Sequence, residues 1–390
     1  MRGFKKSLLF TPGPVDIPPE ALLEQALPMV HHRTPEFMHD YLTVIDHLKK
    51  IIDLDSGMLY LMPSSGTGAM EAAVVNLFQP GERVLVACNG YFSERFAEIC
   101  RTYSLDVKVL DFEWGKQVDP ALIESALRQD SSIKGVLVVF HDTSTGVVND
   151  LAALGDVLGR YPALLVVDAV TGTAVSPLKM EAWQIDCVVG ASQKALMAPP
   201  GVSYIALNSK ALEACRDNPM PRYYFDIRRF ETALQGGITP SPWTPPVATI
   251  RALNKSLEMI MSQGMEECYH HQDVIARCVQ AGLEAMGLNL PVAHTCRSEA
   301  VTLVLAPPGI SPQKIVSEMK DRWGITLAGA LGRFKDNAFR VGHLGYITVL
   351  DVVAVMFALE TTLKNLGWTV EPGVSARAIS QILGEDGSFD

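Results

Sequence analysis

The sequence predicts an α/β protein in which a large, mainly parallel sheet is covered by helices and is followed by a smaller C-terminal α/β domain. From about residue 58, short apolar runs rich in β-branched residues alternate with segments of helical period. Runs such as VLVVF are apolar at every position, which is typical of parallel strands buried on both faces. A break rich in glycine and proline at residues 235–246 interrupts the alternation, which resumes after it. These observations indicate one large and one small α/β domain.

The predicted elements follow in a regular order along the chain. Strands of the large domain are predicted at residues 84–87, 107–110, 135–140, 164–168, 187–190 and 202–207, with helices between them such as 93–103 and 120–128. After the break, the pattern predicts helices at 247–264 and on to about 286, a strand at 300–306, a helix at 311–323, a strand at 338–342 and a helix at 348–366. We expect an N-terminal segment at 1–20, a large domain at 21–262, a small domain at 263–372 and a loosely attached tail at 373–390.

Composition limits the classes of function. A chain of 390 residues with 48% hydrophobic residues can bury a substantial core. The formal net charge of −10, without a run of Lys and Arg, argues against binding to nucleic acid. The seven cysteines occur singly, without the CxxC spacing of zinc sites and in an odd number. Because no apolar run approaches the length of a membrane span either, we expect a cytoplasmic protein with reduced thiols and no metal site.

The stretch MPSSGTGAMEAAVVNLF places small and hydroxyl residues directly before a predicted helix. Ser65, Gly66 and Thr67 leave backbone N–H groups free at the positive end of this helix, and their hydroxyls add further donors. Such a loop either binds an anion such as a phosphate group or is an ordinary helix cap with a glycine turn. It matches neither the dinucleotide-binding fingerprint nor the Walker loop.

Three more polar residues follow predicted strands. Asp168 ends an apolar strand, where it either caps the next segment or pairs with a buried cationic nitrogen. Lys194 follows CVVG, where it either has a chemical function or is an ordinary solvated lysine of a loop. Thr143 in FHDTSTG bonds a ligand or forms a turn. Ligands of open α/β sheets lie beyond the carboxyl ends of such strands. An acid, an amine and a loop that binds an anion are the contacts that pyridoxal phosphate requires.

The sequence around these residues resembles the class V aminotransferases of the alanine-glyoxylate and serine-pyruvate type. The resemblance rests on SQKALMAPPG, with VDAV upstream and FRVGHLG downstream, and extends from LLFTPGP to RVGHLG. It implies the fold of the type I pyridoxal-phosphate-dependent transferases and a pyridoxal 5′-phosphate cofactor. By this resemblance, Lys194 is the lysine that binds the cofactor covalently and moves the substrate proton, and Asp168 pairs with the pyridinium nitrogen.

The resemblance implies roles for further residues. Ser65, Gly66 and Thr67 match the phosphate loop, together with Gln193. Thr143 falls where the family places a hydroxyl near the ring, and Phe92 in NGYFSERF falls where an aromatic side chain stacks on the cofactor. Arg340 in AFRVG matches the arginine that binds the substrate α-carboxylate, a role suited to its planar fork of donors.

The resemblance also implies a homodimer with both sites at the interface. In relatives of the human type, a tyrosine and a threonine from the neighbouring subunit reach the cofactor phosphate. Thr244 in SPWTPP keeps the threonine, whereas Ser241 occupies the position of the tyrosine. We therefore expect Thr244 to be supplied by a second subunit, and the replacement at Ser241 leaves the tyrosine contact in question.

The substrates expected from the resemblance are a small L-amino acid, alanine or serine, and glyoxylate or pyruvate, in a ping-pong cycle. His32 and Arg33 in PMVHHRTPEF resemble a pair that contacts the substrate phosphate in phosphoserine aminotransferases. They either bind an acidic side chain or cap the helix that follows, so an acidic donor such as aspartate, phosphoserine or 2-aminoethylphosphonate is the alternative. A lyase like the cysteine desulfurases would need a cysteine on a late mobile loop, and the late Cys296 precedes a predicted strand instead.

Overall fold

The computed structural model describes residues 6–237 and 239–386. The strands are β1 (Leu8–Phe10), β2 (Met58–Met62), β3 (Arg83–Cys88), β4 (Asp106–Asp111), β5 (Ile133–Val139), β6 (His141–Asp142), β7 (Val147–Val148), β8 (Leu164–Asp168), β9 (Cys187–Ala191), β10 (Ser203–Leu207), β11 (Val301–Leu305), β12 (Ile325–Gly329) and β13 (Ala338–Gly342). Parts of the predicted N-terminal segment (1–5), break (238) and tail (387–390) lie outside the described residues.

The α-helices lie between and after these strands. They are α1 (Pro19–Glu24), α2 (Pro35–Ile51), α3 (Gly66–Leu77), α4 (Tyr91–Thr102), α5 (Pro120–Gln129), α6 (Leu151–Leu158), α7 (Ser209–Arg216), α8 (Ile227–Gln235), α9 (Val247–Gln263), α10 (Met265–Ala285), α11 (Pro312–Glu318), α12 (Val349–Asn365) and α13 (Val374–Asp386). None of the helices in the described ranges is both long and apolar enough to cross a membrane.

A seven-stranded sheet in the order β2-β10-β9-β8-β5-β3-β4 forms the centre of the large domain. Its strands are parallel except β10, which runs antiparallel to both of its neighbours. Alternate residues of one strand enter different cores, since Leu85 packs into the cluster on one face and Val84 and Val86 into the cluster on the other. The prediction of an α/β fold with a mainly parallel sheet buried on both faces is therefore confirmed.

A four-stranded sheet in the order β1-β12-β13-β11 forms the smaller domain. Its first strand comes from the start of the chain, because Leu8 pairs with Ile325 in parallel. Helix α1, only a few residues later, packs against α9 of the large domain. The chain therefore crosses from one domain to the other through residues 11–14, which we call the crossing segment.

The structure contains elements that the periodicity did not predict. β1 has three residues before Pro12 and is too short to show a pattern, and β12 lies directly after a segment predicted as helix up to residue 323. Residues 374–386, which we expected to be a loose tail, form α13 and pack against α10 and α12 with Ile379 buried. This difference arises because a few apolar residues at helical spacing suffice to anchor an otherwise polar helix.

Candidate active site

The loop after β9 holds Lys194 beside the crossing segment. This loop, residues 192–201, is closed by hydrogen bonds from Met197 N to the Lys194 carbonyl (2.9 Å) and from Ala198 N to the Ser192 carbonyl (3.0 Å). The Lys194 side chain is partly buried, and its ammonium donates a hydrogen bond to the Pro12 carbonyl of the crossing segment. Lys194 is therefore held between the large domain and the start of the chain.

The environment of Lys194 makes its ammonium easier to deprotonate than that of an ordinary lysine. Burial lowers the pKa of Lys194 to about 8, and the positive charges of Arg340 and Arg95 act in the same direction, while Asp168 opposes them. Gly13 makes this close packing possible, since a Cβ at that position would lie 2.6 Å from Cδ of Lys194. Its φ of 122° is also one that glycine adopts without strain.

Asp168 lies at the end of β8, the strand that pairs with β9, and β9 leads into the loop of Lys194. It is buried, and its Oδ1 accepts a hydrogen bond from Val170 N at 2.9 Å. Burial raises the pKa of Asp168 to about 6; the Val170 N–H and Lys194 lower it, and the Asp142 carboxylate adds to the rise. Within the described ranges its second carboxylate oxygen has no hydrogen-bond partner, so it can receive a cationic donor.

The loop of small residues before α3 forms a cup. Ser65 is the residue before the helix, and its side chain caps no backbone N–H, so the alternative of an ordinary side-chain cap does not describe it. A Cβ on Gly66 would lie 2.6 Å from Cγ2 of Val170, which explains the glycine by close approach of the two loops. The Thr67 hydroxyl accepts a hydrogen bond from Nη1 of Arg95 at 3.0 Å. The free N–H groups of a twelve-residue helix therefore point to a site suited to an anion.

These residues line one cleft, which we call the lysine cleft. Its lining consists of Ser65, Gly66, Thr67, Met70, Phe92, Arg95, Val139, His141, Thr143, Asp168, Val170, Thr171, Gln193 and Lys194. Two polar atoms here are buried without a hydrogen-bond partner in the described structure, Oε1 of Gln193 and Nε2 of His141. Because buried polar groups are normally paired, these atoms indicate a polar ligand.

A second cleft, which we call the arginine cleft, adjoins the first and shares Phe92, Thr143 and Lys194 with it. Its lining consists of Leu9, Thr11, Pro12, Gly13, Pro14, Phe92, Thr143, Lys194, Thr326, Ala328, Leu331 and Arg340. It is formed by the crossing segment, the large domain and the small sheet together.

Arg340 on β13 is held rigidly in the arginine cleft. Its Nε donates to the Gly329 carbonyl at 2.9 Å and its Nη1 to the Thr143 carbonyl at 2.8 Å. Burial lowers the pKa of Arg340 to about 10, which still leaves the guanidinium charged at neutral pH. Within the described residues it forms no ion pair, and its Nη2 donates no hydrogen bond. A fixed guanidinium with a free donor can bind a carboxylate.

The predicted site residues fall into two groups. Those brought together are Ser65, Gly66, Thr67, Phe92, Thr143, Asp168, Gln193 and Lys194 in the lysine cleft and Arg340 in the arginine cleft. The others lie outside both clefts of their own chain: Thr244 and Arg33 are exposed, and His32 is partly exposed. Ser241 is buried, and its hydroxyl has no partner in the part of the chain that the structure describes.

Among the lining residues of the lysine cleft that the sequence did not predict, two have basic side chains, Arg95 and His141. Arg95 lies three residues after Phe92 on α4, which places both on one face of the helix, so helical spacing could have found it. His141 lies just after β5, where a histidine without a motif around it is not distinguished from an ordinary buried histidine. Burial lowers the pKa of His141 to about 3, so its ring is neutral.

The lysine cleft fits pyridoxal phosphate in its chemistry. The cup offers backbone N–H groups and hydroxyls to a phosphate, Asp168 offers a free carboxylate oxygen to a protonated ring nitrogen, and Lys194 offers an amine to an aldehyde. The unpartnered Oε1 of Gln193 and Nε2 of His141 provide further polar contacts. These groups therefore match the phosphate, the ring nitrogen and the aldehyde of this cofactor.

Comparison with known proteins shows similarity to aminotransferases. A family model described as "Aminotransferase class-V" matches residues 21–333. The chain is 34% identical to an L-aspartate–glyoxylate aminotransferase from Paracoccus denitrificans, covering 96% of this chain and 95% of that protein. It is 32% identical to a serine–glyoxylate aminotransferase from Methylorubrum extorquens, covering 97% and 96%. It is also 36% identical to a protein named "Soluble hydrogenase, small subunit" from a Synechococcus strain, covering 97% and 98%.

Solved structures show the same fold. A ureidoglycine-glyoxylate aminotransferase from Bacillus subtilis superposes with a TM-score of 0.93 at 26% identity, covering 98% of this chain and 99% of that one. An alanine–glyoxylate aminotransferase from a Nostoc species superposes with a TM-score of 0.89, also at 26% identity, covering 93% and 96%. The whole chain, with its large and small sheets, therefore has the architecture of these enzymes.

Proposed function

The chain belongs to the class V aminotransferases, which use pyridoxal 5′-phosphate, and from this premise we propose that it transfers the amino group of alanine or serine to glyoxylate or pyruvate. In this proposal the lysine cleft binds the cofactor and the arginine cleft binds the amino donor and, in the second half of the ping-pong cycle, the oxo acid. The two clefts meet at Lys194, which lines both.

The lining of the arginine cleft is the observation on which the choice of donor rests. Among its described lining residues, Arg340 and Lys194 are the charged ones, and the others are apolar, threonine, glycine or proline. If Arg340 binds the α-carboxylate, no further cation of the same chain remains for an acidic side chain. Enclosing an unpaired carboxylate is costly, whereas a methyl or hydroxymethyl group fits among Thr11, Thr326 and Ala328. The cleft therefore favours small uncharged donors.

Lys194 is the proposed base for the transfer of the substrate proton. When bound, pyridoxal phosphate supplies an electron sink for the electrons left on the substrate α-carbon. With its pKa lowered to about 8, Nζ of Lys194 has an appreciable neutral fraction near neutral pH, so it can accept the proton of the α-carbon and return it. The Pro12 carbonyl, which accepts a hydrogen bond from Nζ, limits the positions that the amine takes up.

Asp168, Phe92 and Arg340 orient the reacting groups in this proposal. Above its pKa of about 6 the Asp168 carboxylate is charged, so it can keep a ring nitrogen protonated beside its free oxygen. Phe92 offers its ring as a flat wall of both clefts. Arg340 is fixed through Nε and Nη1 and keeps Nη2 for the α-carboxylate, which orients the α-carbon toward Lys194.

A homodimer completes the proposal. Thr244 is exposed, and it adjoins Trp243, whose ring stacks with Tyr224 at 5.0 Å and with Tyr223 at 5.6 Å. Tyr223 and Tyr224 are exposed by 66% and 44%, and exposed aromatic clusters of this kind are typical of protein interfaces. We propose that this surface meets a second subunit and that Thr244 enters the partner's lysine cleft.

The unpaired cysteines also agree with the proposed cytoplasmic location.

An acidic donor is the second candidate. It is favoured by the relative named as an L-aspartate–glyoxylate aminotransferase and by His32 and Arg33, which lie at the surface just before α2. In a dimer, such a basic pair could reach the partner's arginine cleft and bind a second carboxylate. Thr34 caps α2, because its hydroxyl accepts a hydrogen bond from Phe37 N at 3.3 Å. His32 and Arg33 are therefore not needed as a helix cap.

Measuring kcat/KM for a panel of donors tests the proposal. The purified enzyme, saturated with pyridoxal phosphate, is assayed with alanine, serine, aspartate, phosphoserine and 2-aminoethylphosphonate against glyoxylate and against pyruvate. We expect alanine and serine to have the highest kcat/KM. A higher value for aspartate or for a phosphorylated donor would overturn the choice of donor and would favour the second candidate. Absence of transamination with every donor would overturn the enzymatic proposal itself.

A further inference from the structure

We propose that Arg95 is a cofactor-positioning residue that neutralises the phosphate group of pyridoxal phosphate. This inference rests on the proposed assignment of the lysine cleft to the cofactor, and it does not depend on which amino acid is the donor. It concerns a side chain to which the sequence analysis gave no role.

Geometry places the Arg95 guanidinium between the cup and the aromatic wall of the lysine cleft. Nη1 donates to the Thr67 hydroxyl at 3.0 Å, so the guanidinium adjoins the loop that is suited to an anion. The guanidinium carbon also lies 4.8 Å from the centroid of the Phe92 ring and 5.4 Å from that of Tyr91. Arg95 is therefore held by neighbours on two sides.

Arg95 has no anionic partner among the described residues. No ion pair joins it to an aspartate or glutamate of the described chain, although it is partly buried. In contrast, Arg333 of the small domain contacts both Asp111 and Glu94, the residue that directly precedes Arg95. A partly buried guanidinium with hydrogen bonds to neutral groups alone retains its full charge for a ligand.

The charge of a bound phosphate group also requires a cation near the cup of the lysine cleft. A phosphate monoester carries about −1.5 to −2 charges at pH 7, and the end of a helix offers roughly half a positive charge. The cup residues are neutral, and in the proposed function Lys194 would be reserved for the aldehyde group. His141 is neutral, and Arg340 lies in the other cleft. Among the described lining residues, Arg95 is then the fixed cation of the lysine cleft.

The electrostatic influence of Arg95 reaches the other charged groups of the cleft. Its positive charge lowers the pKa of Asp168 and that of Lys194, although burial is the largest cause of both shifts. A planar guanidinium can keep one face on Phe92 while its edge donates to Thr67 and to a phosphate oxygen. A lysine ammonium offers a point charge without a face, so it would replace the charge and not the whole geometry.

The test compares pyridoxal phosphate with pyridoxal, which differs in lacking the phosphate. The apoenzyme of Arg95→Gln is titrated with each compound, and binding is followed by the absorbance of the bound chromophore. Loss of one charged hydrogen-bonded contact predicts a roughly tenfold to hundredfold rise in Kd for pyridoxal phosphate and less than about a threefold change for pyridoxal. Arg101→Gln, on the exposed last turn of the same helix, should bind both compounds as the parent does.

Two further variants keep the test decisive. Phe92→Leu should weaken pyridoxal and pyridoxal phosphate alike, because its ring can touch only the part that they share. Arg95→Lys keeps the charge and serves if the glutamine variant does not fold; it should show the same selectivity with a smaller loss. Equal losses of both compounds in the Arg95 variants, or no loss of pyridoxal phosphate, would overturn the proposal. An error in the donor assignment would leave this ratio unchanged, since no donor is present.

Discussion

The lysine cleft and the arginine cleft are built in different ways. The lining of the lysine cleft lies between Ser65 and Lys194, so the large domain alone supplies it. The arginine cleft combines the crossing segment, Phe92, Thr143 and Lys194 of the large domain, and residues of β12 and β13. One rigid sheet thus holds the proposed cofactor, whereas the proposed donor site exists only where the two domains and the start of the chain meet. Cofactor binding and donor recognition should therefore be separable by mutation.

The largest effect is expected at Lys194, one of the three residues that the two clefts share. Lys194→Ala should abolish transamination, because the amine is the covalent anchor and the base in the proposed mechanism. The fold should remain, since the lysine makes no ion pair with a described carboxylate and hydrogen-bonds only the Pro12 carbonyl. Turnover and the thermal unfolding midpoint are measured, with exposed Lys179→Ala as the control. Near-normal turnover in Lys194→Ala would contradict the assignment of both clefts.

The next largest effect concerns the lysine cleft alone. Asp168→Asn should bind the cofactor but turn over at least about a hundredfold slower with every donor, because the carboxylate that stabilises a protonated ring nitrogen is lost. The amide oxygen can still accept the hydrogen bond from Val170 N, so the local turn is kept. Single-turnover rates with alanine and serine measure the effect. If activity is normal, Asp168 only caps the chain that follows β8.

Asp168→Asn should stabilise the apoenzyme, although it lowers the activity of the holoenzyme. Burial raises the pKa of Asp168 from 3.8 to about 6, so the folded state binds this proton more tightly than the unfolded state does. Stability therefore falls as pH rises from about 4 to 6, and at pH 7 the charged carboxylate costs up to about 3 kcal/mol. Asp168→Asn should raise the unfolding free energy of the apoenzyme at pH 7 and change it little near pH 4. A loss of stability at pH 7 would contradict this cost.

A smaller effect is expected from the arginine cleft. Arg340→Ala should lower kcat/KM of every donor alike, by roughly 1.5 to 3 kcal/mol for a charged hydrogen-bonded contact, because all donors share the α-carboxylate. Pyridoxal phosphate should bind to this variant nearly as it does to the parent, which would demonstrate that the two clefts are separable. The exposed Arg322→Ala is a control of the same type. A loss confined to one donor would show that Arg340 binds a side chain instead.

The smallest effect is expected at Arg33, outside both clefts of its own chain. Arg33→Ala should leave kcat/KM for alanine unchanged, because a methyl group offers the guanidinium nothing to bind. We also expect no selective change for aspartate, if small donors are the true substrates. A selective loss with aspartate would mean that the partner's arginine cleft receives this residue, and it would replace our first choice of donor. Measuring alanine and aspartate in parallel decides between these outcomes.

The comparison of the two clefts also explains how far the sequence alone could lead. The fold class, the family and the cofactor were predicted correctly because continuous apolar strands and the residues that follow them are local features. Lys194, Asp168 and the cup were identified in this way, each at the end of a strand or the start of a helix. The geometry then brought them into one cleft, although their roles stay predictions.

The sequence was less informative where contacts are distant along the chain. No local pattern indicated that the crossing segment covers Lys194, because β1 is short and pairs with a strand near the other end of the chain. Arg95 was missed because a charged residue on an amphipathic helix normally faces solvent, and its contact with the Thr67 hydroxyl joins residues that are distant along the chain. The predicted places of Arg33, His32 and Thr244 in a site require a second subunit, which one sequence does not supply.

The pairing of β1 with β12 has a consequence for how the protein is made. Synthesis on the ribosome proceeds from the N-terminus, so Leu8 leaves the exit tunnel long before Ile325 is translated. Until then β1 has no partner strand, and the Pro12 carbonyl cannot be held in place over Lys194. The residues that line the lysine cleft can thus come together during translation, whereas the arginine cleft also needs β13, which ends at Gly342. In the proposed assignment, the cofactor site would therefore form before the donor site.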